Sequence, residues 1–173
     1  MTTNEQKQIK KAIAMLQSLL KEDTPELITI IDDGKKKTSK ILDECCALFK
    51  VWSYWDNEEL DKNFPPPKKP TKRQFAYTQE PDEEYKDMSA NDLEKAGVQG
   101  ITLRERLLFE LLYWKKEGKH LDIKNITLCS GSRSSVGGVP SVRWFPDYDR
   151  LCVNWAGLGR AVGPLRSRAV VSC

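Results

Sequence analysis

The stretch "SVRWFPDYDRLCVNW" (residues 141–155) decides the fold of the C-terminal part of the chain. Apolar and polar residues alternate on both sides of the turn segment "PDYD", which predicts two antiparallel strands joined in a hairpin. Successive side chains of a strand point to opposite faces, so Arg143 and Arg150 share one face and the apolar residues share the other. The predicted core-facing residues are Val142, Trp144, Leu151, Val153 and Trp155.

A helix precedes this hairpin and offers an apolar surface for it to cover. In "TLRERLLFELLYWKKEG" (102–118), Thr102 and Glu105 form a capping-box pattern and Gly118 is a stop signal, which predicts a helix over 103–117. Residues 125–129 and 165–171 have strand composition. The segment 89–173 is therefore expected to be an α+β domain, with one helix packed on a three- to four-stranded antiparallel sheet.

Helical periodicity dominates the first third of the chain. Apolar residues recur at three- and four-residue steps over about 4–22, and again from Ser39 to Trp55. Between them, "TPELITIIDDG" (24–34) has a cap, a proline at the first helical position and a terminal glycine, which predicts a short helix. The overall expectation is an α+β protein whose N-terminal domain, 1–60, is an antiparallel three-helix bundle. Such a small bundle is a candidate surface for homo-oligomer formation.

The intervening segment, 61–88, interrupts both patterns. It contains four prolines in six positions, a basic cluster at 68–73 and an acidic cluster from Glu80 to Asp87. Prolines remove backbone donors and favour extended conformations. We predict a Pro-rich charged linker here.

Bulk composition limits the class of protein. The 173 residues are 31% charged, and no apolar run approaches the roughly 20 residues that cross a bilayer. The N-terminal sequence has no secretory signal pattern, and the five cysteines lack the C-x-x-C spacing of zinc sites. We expect a cytoplasmic protein with no membrane, metal or cofactor requirement.

Charge is distributed unevenly along the chain. The formal net charge is +3, but residues 1–100 carry 16 basic and 19 acidic side chains whereas residues 101–173 carry 12 and 6. From residue 125 onward there are six arginines and no lysine. Arginine is favoured where a planar fork binds phosphate or carboxylate. The candidate binding residues are Arg133, Arg143, Arg150, Arg160, Arg166 and Arg168, with Lys68, Lys69, Lys72 and Arg73 as an auxiliary arm.

Three functional hypotheses follow, beside the simpler interpretation that the polar face is only the solvated side of a small sheet. The first is a non-catalytic binding protein whose Arg-rich face contacts nucleic acid. The second is a protein interaction module, a regulator or inhibitor of a larger nucleic-acid-handling enzyme, that contacts an acidic protein surface. The third and most remote is an enzyme that uses Cys129 as nucleophile with His120 as base. No sequence-specific nucleic-acid motif supports direct base readout.

Overall fold

A computed structural model describes residues 3–22 and 24–171 of the chain. The α-helices are α1 (Thr3–Glu22), α2 (Thr38–Cys46), α3 (Asn57–Asn63), α4 (Ala90–Lys95) and α5 (Leu103–Glu117). The strands are β1 (Leu27–Asp32), β2 (Val51–Ser53), β3 (Thr71–Ala76), β4 (Ile126–Leu128), β5 (Val139–Phe145), β6 (Arg150–Ala156) and β7 (Leu165–Arg166). Two short 3-10 helices lie at Glu83–Tyr85 and Pro146–Tyr148.

The strands form two sheets. β1 and β3 make a two-stranded antiparallel sheet, and the other five strands lie in the order β2-β6-β5-β4-β7. Within the larger sheet β5 is antiparallel to both β4 and β6, whereas β2 runs parallel to β6 and β7 runs parallel to β4. The class α+β is thus confirmed, but the sheet is mixed.

Helix α5 lies between the two sheets and supplies apolar side chains to both sides of the core. Leu103, Leu107 and Leu111 pack in one buried cluster with residues of β5 and β6. Phe109 and Tyr113 belong to a second cluster, which includes residues of β1 and β3. The bounds of α5, its capping box and its left-handed C-cap at Gly118 confirm the sequence prediction.

The predicted N-terminal three-helix bundle is wrong. Residues 27–32, expected in the second helix, form β1, which pairs with β3 over its whole length. The run "LITII" is rich in β-branched residues, which fit a pleated sheet better than a helix. Ile30 is fully buried in the cluster that contains Phe109 and Tyr113 of α5, whereas Ile31 is exposed. This alternation is expected for a strand that is covered on one side.

The third predicted helix, Ser39 to Trp55, is also too long. Helix α2 ends at Cys46, and residues 51–53 form β2 beside β6. The last part of the predicted helix is therefore not helical: Trp55 is buried in the core, and Trp52 is exposed at the sheet edge. A three-residue strand gains its hydrogen bonds from a partner about 100 residues away, so local periodicity does not report it.

The antiparallel prediction for the C-terminal sheet fails at its two edges. Both edge strands, β2 and β7, pair in parallel with their neighbours. The expected strand over 165–171 contains only Leu165 and Arg166, followed by an isolated bridge between Ala169 and Gly100. Backbone bonds from Ile101 and Val170 then connect the C-terminal segment to the chain just before α5.

The segment 61–88, predicted as a linker, contributes to the packed structure. It contains β3, and Phe75 on that strand is fully buried. Glu80 accepts hydrogen bonds from the backbone amides of Ile123, Lys124 and Asn125. These contacts join the segment to both the small sheet and the loop before β4.

The central hairpin, β5 and β6, has the predicted side-chain parity. Val142, Trp144, Leu151 and Val153 are buried in the cluster that contains the α5 leucines. Trp155, expected in the core, is instead 43% exposed because it lies near the end of β6. Alternation along a strand determines the face, but burial also depends on what covers that part of the face.

Helix α1 confirms the first predicted helix within two residues of its bounds. Ile9, Ile13 and Leu16, the apolar side chains of this helix that the structure describes at this face, do not belong to any of the three core clusters. Ile9, Ile13 and Leu16 are 47%, 48% and 59% exposed. An apolar helical stripe in that state is available to another surface.

Buried charges connect α5 to the rest of the fold. Asp122, fully buried, accepts bonds from Arg106 Nε at 2.8 Å and from an Arg168 terminal nitrogen at 2.6 Å. Arg106 also donates to Glu110, whose other oxygen lies 2.8 Å from His120 Nδ1. Buried charges are tolerated only when paired in this way, and removal of one partner leaves an uncompensated charge.

We expect Asp122→Asn to lower the free energy of unfolding by about 3–5 kcal/mol, because two buried guanidinium groups lose a carboxylate. Asp149→Asn is the matched control. Among the described residues, the exposed Asp149 side chain pairs with Lys50 alone, so the substitution should change stability by about 0.5 kcal/mol or less. Urea denaturation of both variants measures the difference, and equal effects would contradict the assigned role of Asp122.

The Asp122 contribution should also depend on pH. Burial alone would raise the pKa of this carboxyl, but Arg106 and Arg168 outweigh that effect and hold its pKa below the ordinary 3.8. Because the folded pKa is lowered, the stabilisation is present above pH 3.8 and is lost as pH falls further. The difference in free energy of unfolding between the wild-type protein and Asp122→Asn should therefore decrease only in strong acid.

Candidate nucleic-acid interface

One open surface of the larger sheet carries the two arginines of the hairpin. Arg143 on β5 and Trp52 on β2 are both in register with Cys152 on β6, so the three side chains lie in a row on one face. Arg150 lies on the same face, two residues from Cys152. We call this surface the outer face and define it by Trp52, Arg143, Phe145, Tyr148, Arg150 and Cys152.

Helix α4 covers the other end of this face. Ala90 and Leu93 of α4 pack in a buried cluster with Val139, Ala156 and Leu165. Val139 and Ala156 have the same parity as Arg143 and Arg150, so the cluster occupies the same side of the sheet. Helix α4 thus closes one half of the face and leaves the arginine half open.

Aromatic rings hold the two guanidinium groups in place. The Arg143 guanidinium lies 4.0 Å from the Phe145 ring centroid, and that of Arg150 lies 5.0 Å from the Tyr148 ring and 6.0 Å from the Trp52 ring. Trp52 is 40% exposed and Tyr148 is 62% exposed. Arginine stacked on rings loses little conformational entropy when it binds a further partner.

Arg143 and Arg150 keep unused binding capacity. Within the described chain, neither forms an ion pair with a carboxylate, and Arg143 donates only to backbone carbonyls such as that of Ile123. Arg150 Nε is buried and has no hydrogen-bond partner among the described residues. An external acceptor would bind the terminal nitrogens of these guanidinium groups rather than the buried Arg150 Nε.

The two C-terminal arginines are not part of the outer face. Arg168 was expected there but is 1% exposed and bonds Asp122 and the carbonyls of Thr78 and Gln79. Arg166 pairs with Glu83, and its side chain is only 11% exposed. Both guanidinium groups connect segments of the fold, since each is neutralised by a carboxylate from elsewhere in the chain.

Arg73 and Arg133 meet at a different place. Both line two adjoining cavities beside the first turn of α5, which we call the Arg73–Arg133 cleft. The remaining predicted residues, Lys68, Lys69, Lys72 and Arg160, are exposed and have no ion pair within the described chain. The ten predicted residues thus fall into at least three separate locations.

The sequence reasoning missed the aromatic components of the outer face. The helical periodicity predicted from Ser39 to Trp55 includes Trp52, and the turn segment "PDYD" includes Tyr148. The aromatic content of the turn "FPDYD" is the local signal that was available for Tyr148. No local pattern places Trp52 beside Cys152, because that contact depends on parallel pairing of distant strands.

The geometry gives little support to a Cys129 nucleophile. Cys129 is completely buried in the core, and burial raises the pKa of its thiol. His120 bonds Glu110 and stacks between the rings of Trp114 and Trp144, at centroid distances of 4.3 and 3.3 Å. A reactive cysteine needs access and a lowered pKa, and Cys129 has neither.

Comparisons with protein-family models, with curated proteins and with solved structures found no match. Over residues 3–22 and 24–171, no helix is both long enough and apolar enough to cross a membrane. The same residues contain no group of three or more His, Cys, Asp or Glu side chains arranged to hold a metal ion.

Thiol accessibility provides a direct check of the cysteine assignments. At neutral pH an alkylating reagent should modify the exposed Cys46 of the native protein, whereas the buried Cys45 and Cys129 should react only after denaturation. Peptide mass spectrometry of time points identifies each site. Rapid native-state modification of Cys129 would contradict its burial and restore the enzymatic hypothesis.

Proposed function

We propose that this protein is a non-catalytic binding protein whose outer face binds single-stranded nucleic acid. The observation that carries the proposal is the pair of arginines without carboxylate partners, Arg143 and Arg150, next to the exposed rings of Trp52 and Tyr148. Guanidinium groups bind phosphates, and flat aromatic rings stack on bases. Together these groups supply both interactions that single strands offer.

The shape of the surface favours single strands over a duplex. The outer face is part of a sheet, and the helix on that side, α4, packs down onto the other half of the face. Duplex readout through the major groove uses a helix or ribbon that enters the groove. A sheet face with aromatic residues instead accommodates unpaired bases, as in the common single-strand-binding modules. Stacking on rings tolerates many sequences, so we expect little sequence preference.

The charge of the outer face sets the expected salt dependence. Two guanidinium groups that each neutralise one phosphate correspond to a slope of about −1.4 for log affinity against log salt, at roughly −0.7 per phosphate for single strands. Stacking on Trp52 is worth about 1–3 kcal/mol and is insensitive to salt. Binding should therefore be only moderately salt-dependent.

The test is fluorescence anisotropy with a labelled, unstructured RNA of mixed sequence. Trp52→Ala should weaken binding by about 1–3 kcal/mol, while Trp52→Phe should retain part of the affinity because it keeps a ring. The double change Arg143→Gln and Arg150→Gln should weaken binding and remove most of the salt slope.

Arg160→Gln is the matched control, since Arg160 is an exposed arginine outside the outer face. It removes the same charge and should change affinity little. Equal losses in Arg160→Gln and in the single Arg150→Gln variant would indicate a diffuse charge effect. Absence of any RNA binding by the wild-type protein at low salt would reject the proposal.

A second candidate function, a protein interaction module, rests on α1. Its exposed apolar side chains Ile9, Ile13 and Leu16 are separated by four and three residues. This spacing corresponds to one heptad of the apolar pattern by which helices pair in coiled coils. The occupant that this spacing favours is a second copy of the chain, and a regulator or inhibitor role would use the same stripe.

Self-association through α1 should appear as a concentration-dependent dimer in sedimentation equilibrium. Ile13→Lys should shift the protein toward monomer because it places a charge in the seam. Ala14→Lys is the control, since it adds the same charge at an exposed position beside the stripe. A monomer at all accessible concentrations, or equal effects of the two variants, would contradict this role.

A further inference from the structure

Two adjoining cavities lie where β3, the loop after β4 and the first turn of α5 come together. Their volumes are about 230 and 530 Å³. Both are lined by Arg73, Gly131 and Arg133, so the two arginines lie at the junction. The smaller cavity adds Phe64 and Pro65, and the larger adds Leu93 and Val98.

The loop that carries Arg133 is held closely against the chain before α5. Gly131 donates its amide to the Ile101 carbonyl at 3.0 Å. A Cβ at Gly131 would lie 2.3 Å from the Gly100 carbonyl oxygen, so no larger residue fits without displacement. This close approach keeps Arg133 at the edge of both cavities.

The Arg133 side chain is oriented before any ligand arrives. One terminal nitrogen donates to the carbonyl oxygens of Ser130 and Ser132, at 2.6 and 3.0 Å. The other terminal nitrogen lies 3.6 Å from Glu94, whose side chain is 74% exposed. The Arg133 guanidinium group is thus held on one side by two carbonyl oxygens and paired weakly with Glu94 on the other. An anionic ligand can replace Glu94 without reorienting the guanidinium group.

The other charges of the cleft divide into strongly and weakly paired groups. Arg104 is fully engaged, because it bonds both oxygens of Asp32 at 2.6 and 2.8 Å. Arg73 lies 3.5 Å from Glu105, a carboxylate that also accepts the Thr102 amide. Arg73 and Arg133 are therefore the cations of the cleft that retain capacity for a further acceptor.

We propose that the Arg73–Arg133 cleft binds a small organic anion, with a carboxylate or phosphate-monoester group between the two guanidinium groups. The apolar part of the ligand lies against Leu93 and Val98 in the larger cavity. This site is separate from the outer face, since neither Arg143 nor Arg150 lines either cavity. Anion binding at the cleft can therefore be confirmed or rejected independently of RNA binding at the outer face.

Calorimetric titration with phenyl phosphate, benzoate and inorganic phosphate tests the site. We expect saturable binding of at least one aromatic anion, with a dissociation constant in the low millimolar range or tighter. The stronger of phenyl phosphate and benzoate identifies the preferred head group. Inorganic phosphate alone should bind more weakly, because it leaves the apolar wall at Leu93 and Val98 uncovered.

Arg133→Gln and Arg73→Gln should each weaken binding of the preferred probe about tenfold or more, because a charge-assisted hydrogen bond is lost. Circular dichroism and thermal unfolding report whether each variant remains folded. Glu94→Gln tests the same site with a change that should increase affinity. Because Glu94 is exposed, this variant is expected to remain folded. It should tighten binding about two- to fivefold, since Arg133 loses its competing carboxylate.

Glu84→Gln is the control, because it makes the same charge change at an exposed position outside the cleft. Tighter binding in Glu94→Gln but not in Glu84→Gln supports the proposal even when an arginine variant fails to fold. The proposal is overturned if no probe binds saturably, if folded Arg73 and Arg133 variants retain full affinity, or if both glutamate variants behave alike.

Discussion

Asp122 is fully buried between the guanidinium groups of Arg106 and Arg168, and the packing around α5 depends on this ion-pair network. Through it, α5 is connected to the loop before β4 and to the C-terminal segment beyond β7. Arg168 extends the network to the backbone of Thr78 and Gln79, in the chain after β3. Residues from four parts of the chain, 78–79, Arg106, Asp122 and Arg168, thus meet around one carboxylate.

The same network explains how a helix with so many charges can be buried. Helix α5 carries Arg104, Arg106 and Glu110 within about two turns. These three side chains are 4% exposed or less, and each has an internal partner: Asp32 for Arg104, and the Asp122 network for Arg106 and Glu110. Removal of charged groups from water is costly, so such burial requires that all the partners be in place together. This requirement makes the two sheets and α5 one cooperative unit.

Sequence reasoning succeeded where a structure is determined locally. Capping residues at Thr102 and Gly118 fixed the ends of α5, and alternation in 141–155 fixed the faces of the hairpin. It failed for β1, β2 and β7, whose formation depends on partners elsewhere in the chain. β2 is an example: its three residues gain their pairing from β6, and the preceding helical stripe gave no sign that the helix ends at Cys46.

The availability of each arginine in the candidate sites likewise depends on contacts with distant parts of the chain as well as on its local position. The sequence presents six C-terminal arginines as equivalent, but ion pairing separates them into buried connectors and available cations. Arg168 is neutralised by Asp122, 46 residues earlier, and Arg166 by Glu83, 83 residues earlier. Parity along a strand can place a guanidinium on a face, but it cannot reveal a carboxylate brought there by another segment. The available charge at Arg143, Arg150 and the Arg73–Arg133 cleft is therefore a property of the tertiary structure, and a count of arginines overstates the extent of any anion-binding surface.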